Sequence, residues 1–517
     1  MRLVLLRPPR YVWPFNSETS AFWQPLGLLC LAAAVRRELP HVRVEVWDAP
    51  ANRCGWRTLG RRLAAEHIDV LGIGEEAVSA HEALRAARLV KQLPPRCVVV
   101  AGGTYFAHAV DESLSQGCID VIVRGEGEVT LVEWLRRACD RDGWHVVDGL
   151  AFRDANGLIV VTRPRELIDN LDSLPWPAYE LVDMDLYGRN SRNHPRLVSV
   201  EHSRGCIDSC DFCILWKHMG EAVDGNGQVR PRFRTKSAER SFEEVRWLYE
   251  RFGRRTFGWV DPTFNVSPEW SDRWAELMLG SEMMSSRGRA KTLHTAWLRA
   301  DCAVRDEGLG ILSKLVRAGL RQVMIGVERD DAAGLSFLNK HHNEIEICCE
   351  AFDIFRRRYP QVYTIGTMIF GLPGDTLADL RRLVEQQYEM GMDYCFMMPL
   401  TPNPGTGIAV RAAADGYIAN RDLASYNFHT PVCVTGELGL RQLESVYWRI
   451  LVSASGRRLW RAARFLTASS DARKRRVHLA LLRRGTGIAV RSLSRAMFRA
   501  HDASPTLYSR RPLWYDD

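Results

Sequence analysis

Three cysteines stand within eight consecutive positions, Cys206, Cys210 and Cys213, in the stretch SRGCIDSCDFC. Thiolates are soft ligands that suit zinc or iron–sulfur clusters. Three of them are one short of a closed structural zinc site, which takes four protein ligands. Two completions are open. His218 follows in a Cys-x3-Cys-x2-Cys-x4-His spacing and would close a Cys3His zinc module of the kind that can grip nucleic acid. Alternatively, three thiolates hold three irons of a 4Fe–4S cluster and leave the fourth iron to a small molecule. An open coordination position marks a reactive centre rather than a staple, as it does for catalytic zinc. A zinc module normally stands in a small domain of its own. These cysteines instead follow a strand of a larger repeat, so the cluster accounts for more.

That repeat positions the cysteines. Apolar runs at Leu197–Glu201, Thr256–Val260, Leu293–Trp297, Gln322–Val327, Tyr363–Phe370 and Tyr394–Pro399 read as strands, with helical periods between them. Six such units predict a partial (β/α) barrel over residues 196–410, whose chemistry sits on the loops after the strands. The cysteine loop follows the first strand, at that end.

Residues 1–143 alternate in the same way. Buried strands are expected at Leu3–Leu6, Val42–Trp47, Val70–Ile73, Val98–Ala101 and Val121–Val123, which predicts a parallel, doubly wound, Rossmann-like sheet. Two of these strands run into glycines: Gly102 and Gly103 in VVVAGGT, and Gly125 and Gly127 in VIVRGEGE. Ligands of such sheets sit beyond the carboxyl ends of the strands, where glycine lets backbone approach them. Taken singly, each glycine reads more simply as a tight turn; several in one register point to a ligand-binding crevice. Residues 144–195, with SLPWPAY and GRNSRNHP, read as a linker, and 411–517 as a helical region ending in a basic tail.

Bulk properties set the frame. A chain of 517 residues exceeds one ordinary core, and 46% hydrophobic with 26% charged residues suits a globular protein. No apolar run reaches the roughly 18 residues of a membrane span. The opening MRLVLLRPPR reads as a strand rather than a signal peptide. Thirteen cysteines, ten of them scattered, fit a reducing cytoplasm. The net charge of +8 is uneven: Arg457 to Arg511 holds 15 basic residues against two acids, leaving −5 for the rest. Nucleic-acid binding by the whole protein is therefore a poor inference. The tail pattern, with Leu459, Phe465, Leu466, Val477 and Leu479 among arginines, suits a terminal helix packed on the barrel. It could also make peripheral contact with an anionic membrane surface.

The cysteine spacing, with Phe212 before the last cysteine, resembles the radical S-adenosylmethionine superfamily. LRAD (Leu298–Asp301), VMIGVERDD (Val323–Asp331) and TIGTMIFGLPGDT (Thr364–Thr376) fall in the order of that family's later strands. The resemblance implies that Cys206, Cys210 and Cys213 hold a 4Fe–4S cluster whose open iron chelates S-adenosylmethionine, and that an electron from an external flavodoxin- or ferredoxin-type donor frees a 5′-deoxyadenosyl radical. It also implies that Glu328 contacts the reagent's polar groups, that Arg299 pairs with its carboxylate, and that Gly366 to Gly371 pass beside its adenine. The plainer reading of Arg299 and Glu328 is a strand-end ion pair.

The first half resembles the cobalamin-binding domain that precedes the barrel in one class of these enzymes, through PLGLLCLAAAVRR, IDVLGIG, VVVAGGTY and IDVIVRGEGEVTLVEWL. The two resemblances together cover roughly Met1 to Ser453. Many cobalamin domains offer a cobalt-binding histidine in an Asp-x-His-x-x-Gly loop; here that turn is DAPANRCG, without histidine. Glu75 and Glu76 fall where cobalt's lower face is expected, with helix-capping acids as the alternative. Within the class, FCILWK, YNFHTPV and the tryptophan- and arginine-rich tail resemble the anaerobic magnesium-protoporphyrin IX monomethyl ester cyclase group. Most of the class are methyltransferases. The expectation is hydrogen abstraction from an unactivated carbon of a small biosynthetic intermediate, followed by C-methylation through methylcobalamin. Oxidative cyclisation is the alternative, and a non-catalytic cobalamin sensor or the zinc module are weaker ones.

Overall fold

The computed structural model describes residues 1–10, 23–74, 76–94, 97–188, 194–223, 227–445, 471–480, 482–483 and 512–517. The apolar runs of the first half become strands β1 (Arg2–Arg7), β2 (Arg43–Asp48), β3 (Val70–Gly74), β4 (Val98–Gly102) and β5 (Val121–Val123). They pair in parallel, in the order 2-1-3-4-5, with helices such as Leu26–Glu38 and Ala80–Lys91 on the two faces. The order reverses between β1 and β3, the place where doubly wound sheets hold ligands. Glu75, at the end of β3, lies outside the described residues. Glu76 does not cap the turn Ala77–Ser79 with its side chain.

The sheet continues where a linker was expected. β6 (Leu150–Arg153) and β7 (Ile159–Val161) add antiparallel to β5, so the first domain runs past residue 143 to at least Val161. The turn between them is local chemistry: Asp154 accepts from the backbone of Asn156 and Leu158, and Gly157 takes φ +81°. The hairpin is short and of mixed polarity, so its alternation is weak.

The second sheet starts at β8 (Leu197–Val200), followed by β9 (Ser203–Arg204), the hairpin β10 (Glu221–Val223) and β11 (Val229–Pro231), and β12 (Arg234–Thr235), which pairs with β9. Then come β13 (Thr256–Trp259), β14 (Leu293–Leu298), β15 (Leu320–Glu328), β16 (Tyr363–Phe370) and β17 (Tyr394–Pro399). β8 and β13 to β17 line up in sequence order, all parallel, as the six-stranded partial barrel predicted. Caps fix where the outer helices begin. Ser237 and Ser267 accept backbone N–H groups, and Thr376 with Asp379 forms a reciprocal capping box.

Beyond the barrel, the described residues combine short helices with irregular chain. After the helix Gly407–Ala414 the chain runs irregularly, apart from a turn at Leu423–Ser425, and returns to the first domain before residues 440–445 turn helical. Tyr426, Val432 and Cys433 are buried in the same core as Tyr105 and Phe106. Residues 472–480 are helical and pack on the barrel, as the amphipathic pattern suggested. Val477 joins Tyr363 and Ile365, Lys474 pairs with Asp393 at 2.7 Å, and Tyr363 Oη lies 2.9 Å from His478 Nδ1. This helix therefore lies across the amino ends of β16 and β17, opposite the cysteine loop. Leu459, Phe465, Leu466 and most of the basic tail lie outside the described residues. No helix among the described residues is long and apolar enough to cross a membrane.

Candidate active site

The cysteine loop follows β8 and β9 directly. Backbone bonds to neighbouring elements hold it: Asp211 N–H donates to Leu338 at 3.0 Å, Asn339 Nδ2 to the Ser209 carbonyl at 2.9 Å, and Trp216 Nε1 to the Cys210 carbonyl at 3.0 Å. Gly205, at φ +77°, has no room for a side chain, since a Cβ would sit 1.9 Å from the Arg232 carbonyl. All three cysteines are free thiols, Cys210 the most buried. Burial pushes Cys210 up to about 12 and Cys213 up to about 11, and raises Cys206, while Lys340 pulls each of them down. Each of the three thiols lies within electrostatic reach of the other two.

The donor set fits an iron–sulfur cluster: three soft thiols on one braced loop, with a buried cation to offset thiolate charge. It does not form the Cys3His module. His218 packs its ring on His108, 5.9 Å between centroids, in the field of His108, Arg204 and Glu128 rather than of the thiols. Among the described residues no three His, Cys, Asp or Glu side chains converge on a single-ion site.

Glu328 ends β15 at φ +67°, a conformation few non-glycine residues adopt and one that costs about 1–3 kcal/mol. The register with β16 slips at that point, turning its carboxylate onto Lys340 Nζ, 3.1 Å away, with Thr367 Oγ1 at 3.4 Å. Gly326 makes the space, because a Cβ there would lie 2.8 Å from Lys340 Nζ. Burial opposes the charge on Lys340, yet Glu328 and Cys210 outweigh it and hold its pKa above the ordinary value. Sequence reasoning singled out Glu328 and missed Lys340, whose setting in a polar loop, LNKHHN, looks like solvated surface.

Arg299 does form the plainer arrangement. Its guanidinium is bound by Asp301 and by Asp208 of the cysteine loop, and Asp208 also meets His342 Nδ1 at 3.1 Å. It thus fastens that loop to β14. Gly366 has a packing reason: a Cβ would meet Met392 Sδ at 2.5 Å on the helix side of β16, away from the Thr367–Glu328 face. Gly371 takes φ +79° in the turn after β16 and donates to Asp375, itself bound by Arg329.

In the first domain, Gly103 (φ +83°) and Gly125 (φ +72°) turn the chain at the ends of β4 and β5, and Gly102 closes β4. Gly127 allows the helix it opens to pack on Leu31, 2.8 Å from a virtual Cβ. The acids of this GEGE stretch reach the second domain. Arg204 donates to Glu126 at 3.0 Å, Glu128 at 2.6 Å and Glu201 at 2.8 Å, and Arg234 also holds Glu126, at 2.8 Å. The carboxyl edge of the first sheet therefore faces the cysteine loop. His108 Nε2 and His218 Nδ1, buried between the two, have no hydrogen-bond partner. Orphaned donors and open glycine turns at that edge fit a large polar cofactor such as a corrinoid.

The family profile described as B12 binding domain matches residues 14–135, and that of the Radical SAM superfamily matches residues 200–386. The chain is a radical SAM protein with a B12-binding domain. It is similar to an uncharacterised methyltransferase of Pyrococcus horikoshii, 24% identical over 88% of this chain and 92% of the relative. It is also similar to the anaerobic magnesium-protoporphyrin IX monomethyl ester cyclase of Synechocystis, 28% identical over 66% of this chain and 63% of the cyclase. Among solved structures, the radical SAM methyltransferase TsrM from Kitasatospora setae superposes with a TM-score of 0.62, 19% identity, and coverage of 81% of this chain and 77% of that one. That likeness carries the shared fold. The match boundaries place both radical SAM and B12-binding regions on the two sheets described above.

Proposed function

We propose that this radical SAM protein is a cobalamin-dependent methyltransferase that removes a hydrogen atom from an unactivated carbon of a small molecule and replaces it with methyl. The observation that carries the reading is the apposition of the cysteine loop and the GEGE edge of the B12-binding domain, tied through Arg204. When bound, the cluster supplies the electron that cleaves S-adenosylmethionine, and the corrinoid supplies the methyl group. The chain's own residues do the positioning. Cys206, Cys210 and Cys213 would hold the cluster, with Lys340 offsetting its charge. Lys340 and Glu328 together present one cation and one anion beside the thiols, a match for the carboxylate and ammonium of an amino-acid reagent. Gly102, Gly103 and Gly125 would let backbone approach the corrinoid. The substrate would lie between the two domains, where pockets commonly form.

Reduction by a flavodoxin- or ferredoxin-type donor, a cytoplasmic setting, and any contact of the basic tail with a membrane belong to the same proposal. The cyclase similarity favours oxidative ring closure as the second reading. Anaerobically reconstituted protein, incubated with a reductant, candidate substrates and methyl-labelled S-adenosylmethionine, separates the two. S-adenosylhomocysteine together with 5′-deoxyadenosine is expected for methylation, and 5′-deoxyadenosine alone for cyclisation. Cys210→Ala should abolish both products and lower bound iron from about four per chain. Turnover that survives this change sinks the proposal.

A further inference from the structure

Four basic side chains, two from each domain, meet between the carboxyl ends of β4 and β5 and the helix Leu215–Gly220. His108 and Arg124 come from the first domain, Lys217 and His218 from the second. The two imidazoles are in edge contact, and Arg124 and Lys217 both lie within electrostatic reach of His108. The Gly405 backbone closes over the His108 ring, a virtual Cβ there standing 2.6 Å from it. Acids do face the group. Glu221 acts on Arg124, and Glu128 acts on His218, although Glu128 is already bound by Arg204.

Several buried cations among the described residues are matched by carboxylates, as in Arg7 with Asp48 and Arg329 with Asp375. Arg124 and Lys217 form no ion pair among the described residues, although both are half-buried. His108 Nε2 and His218 Nδ1 are fully buried and unbonded. Burial drives both rings down to about 4, so at neutral pH each is an uncharged imidazole with one N–H to give. Two cations without an ion pair, Lys217 resting only over the Trp216 ring 5.5 Å away, and two unbonded imidazole edges on one seam suit negatively charged oxygen.

We propose that His108, Arg124, Lys217 and His218 form an anion-binding subsite that takes a phosphate or carboxylate group of a molecule lying between the two domains. The group has two chemical sources: the phosphodiester of the corrinoid's nucleotide loop, or an acidic substituent of the methyl acceptor. The assignment of source rests on the function proposed above; the subsite itself does not.

The test uses the full chain and the double variant Arg124→Met/Lys217→Met. Dissociation constants are measured for hydroxocobalamin and for cobinamide, which lacks the nucleotide and its phosphodiester. Binding of inorganic phosphate to corrinoid-loaded protein is followed by calorimetry. If the corrinoid supplies the anion, the double variant binds hydroxocobalamin at least tenfold more weakly and cobinamide unchanged. If the substrate supplies it, both corrinoids bind as before, and phosphate binds the parent chain but not the double variant. Lys217→Arg should retain whichever binding is seen. Equal loss of both corrinoids, which indicates mere structural damage, overturns the proposal, as does the absence of any phosphate-dependent difference. Phosphate binding that needs both cations, in a protein that takes up no corrinoid, supports the subsite while sinking the functional reading.

Discussion

Arg204 stands two residues before Cys206 and donates to Glu126 of the other domain at 3.0 Å. The same guanidinium serves Glu128 and Glu201, so one buried cation is shared by the cysteine loop, β8 and the GEGE stretch. Glu128 and Glu201 outweigh the cost of burying it and hold its pKa well above the ordinary value.

Removing that cation should be costly. Arg204→Met leaves three buried carboxylates short of a partner, and breaking such a group typically costs about 3–5 kcal/mol. Urea denaturation should show a loss of that order, with lower iron content after reconstitution. A loss below about 1 kcal/mol would mean that water or rearranged cations satisfy these acids.

Lys340 and Glu328 should behave as a unit. Lys340→Met alone strands the Glu328 carboxylate, and Glu328→Gln alone strands the ammonium, whereas the double variant strands neither. The double-mutant cycle in stability should therefore give a favourable coupling above about 1 kcal/mol. In S-adenosylmethionine binding all three variants should be weak, because the reagent would lose at least one contact. Parent-like binding by Lys340→Met argues against that role.

Stability should fall as the medium is acidified from pH 7 to 5. Burial depresses His108, His194, His218 and His478 from 6.5 to about 4, and His294 and His342 to about 3. Each binds its proton more readily when unfolded, so between pH 6.5 and 4 the unfolded chain holds more protons and gains on the native state. Urea midpoints at pH 7, 6 and 5 should decrease in that order. His108→Asn should shallow the slope, and an unchanged slope excludes this imidazole as a contributor.

Gly205→Ala should damage the cysteine loop out of proportion to its size. The residue needs φ +77°, and the added carbon would press on the Arg232 carbonyl and the Gly220 backbone. Backbone cannot yield as a side-chain tip can, so iron incorporation should drop several-fold; full incorporation argues that the β10–β11 hairpin shifts freely.

Much of this was legible in the residues. Continuous apolar runs such as Leu3–Leu6 and Val98–Ala101 can only be buried on both faces, which fixed the parallel sheets, and the cysteine spacing drew attention to the loop that follows β8 and β9. The residues that escaped notice act through long-range pairing. Nothing adjacent to Lys340 in sequence shows that it pairs with Glu328 and lies within electrostatic reach of the three thiols. Nor does the GEGE stretch announce that its acids, rather than its glycines, reach Arg204 across some 76 to 78 positions. Gly366 also has a packing reason that its motif does not show, because Met392 occupies the space beside it. β6 and β7 were hidden because a short hairpin of mixed polarity carries a weak period.

The return of Tyr426, Val432 and Cys433 to the core of the first domain has a consequence for engineering. A graft that exchanges only the amino-terminal lobe for a relative's would bring a hydrophobic socket shaped for a different returning strap. Modular swaps in this architecture should therefore transplant residues 412–433 along with the lobe they complete.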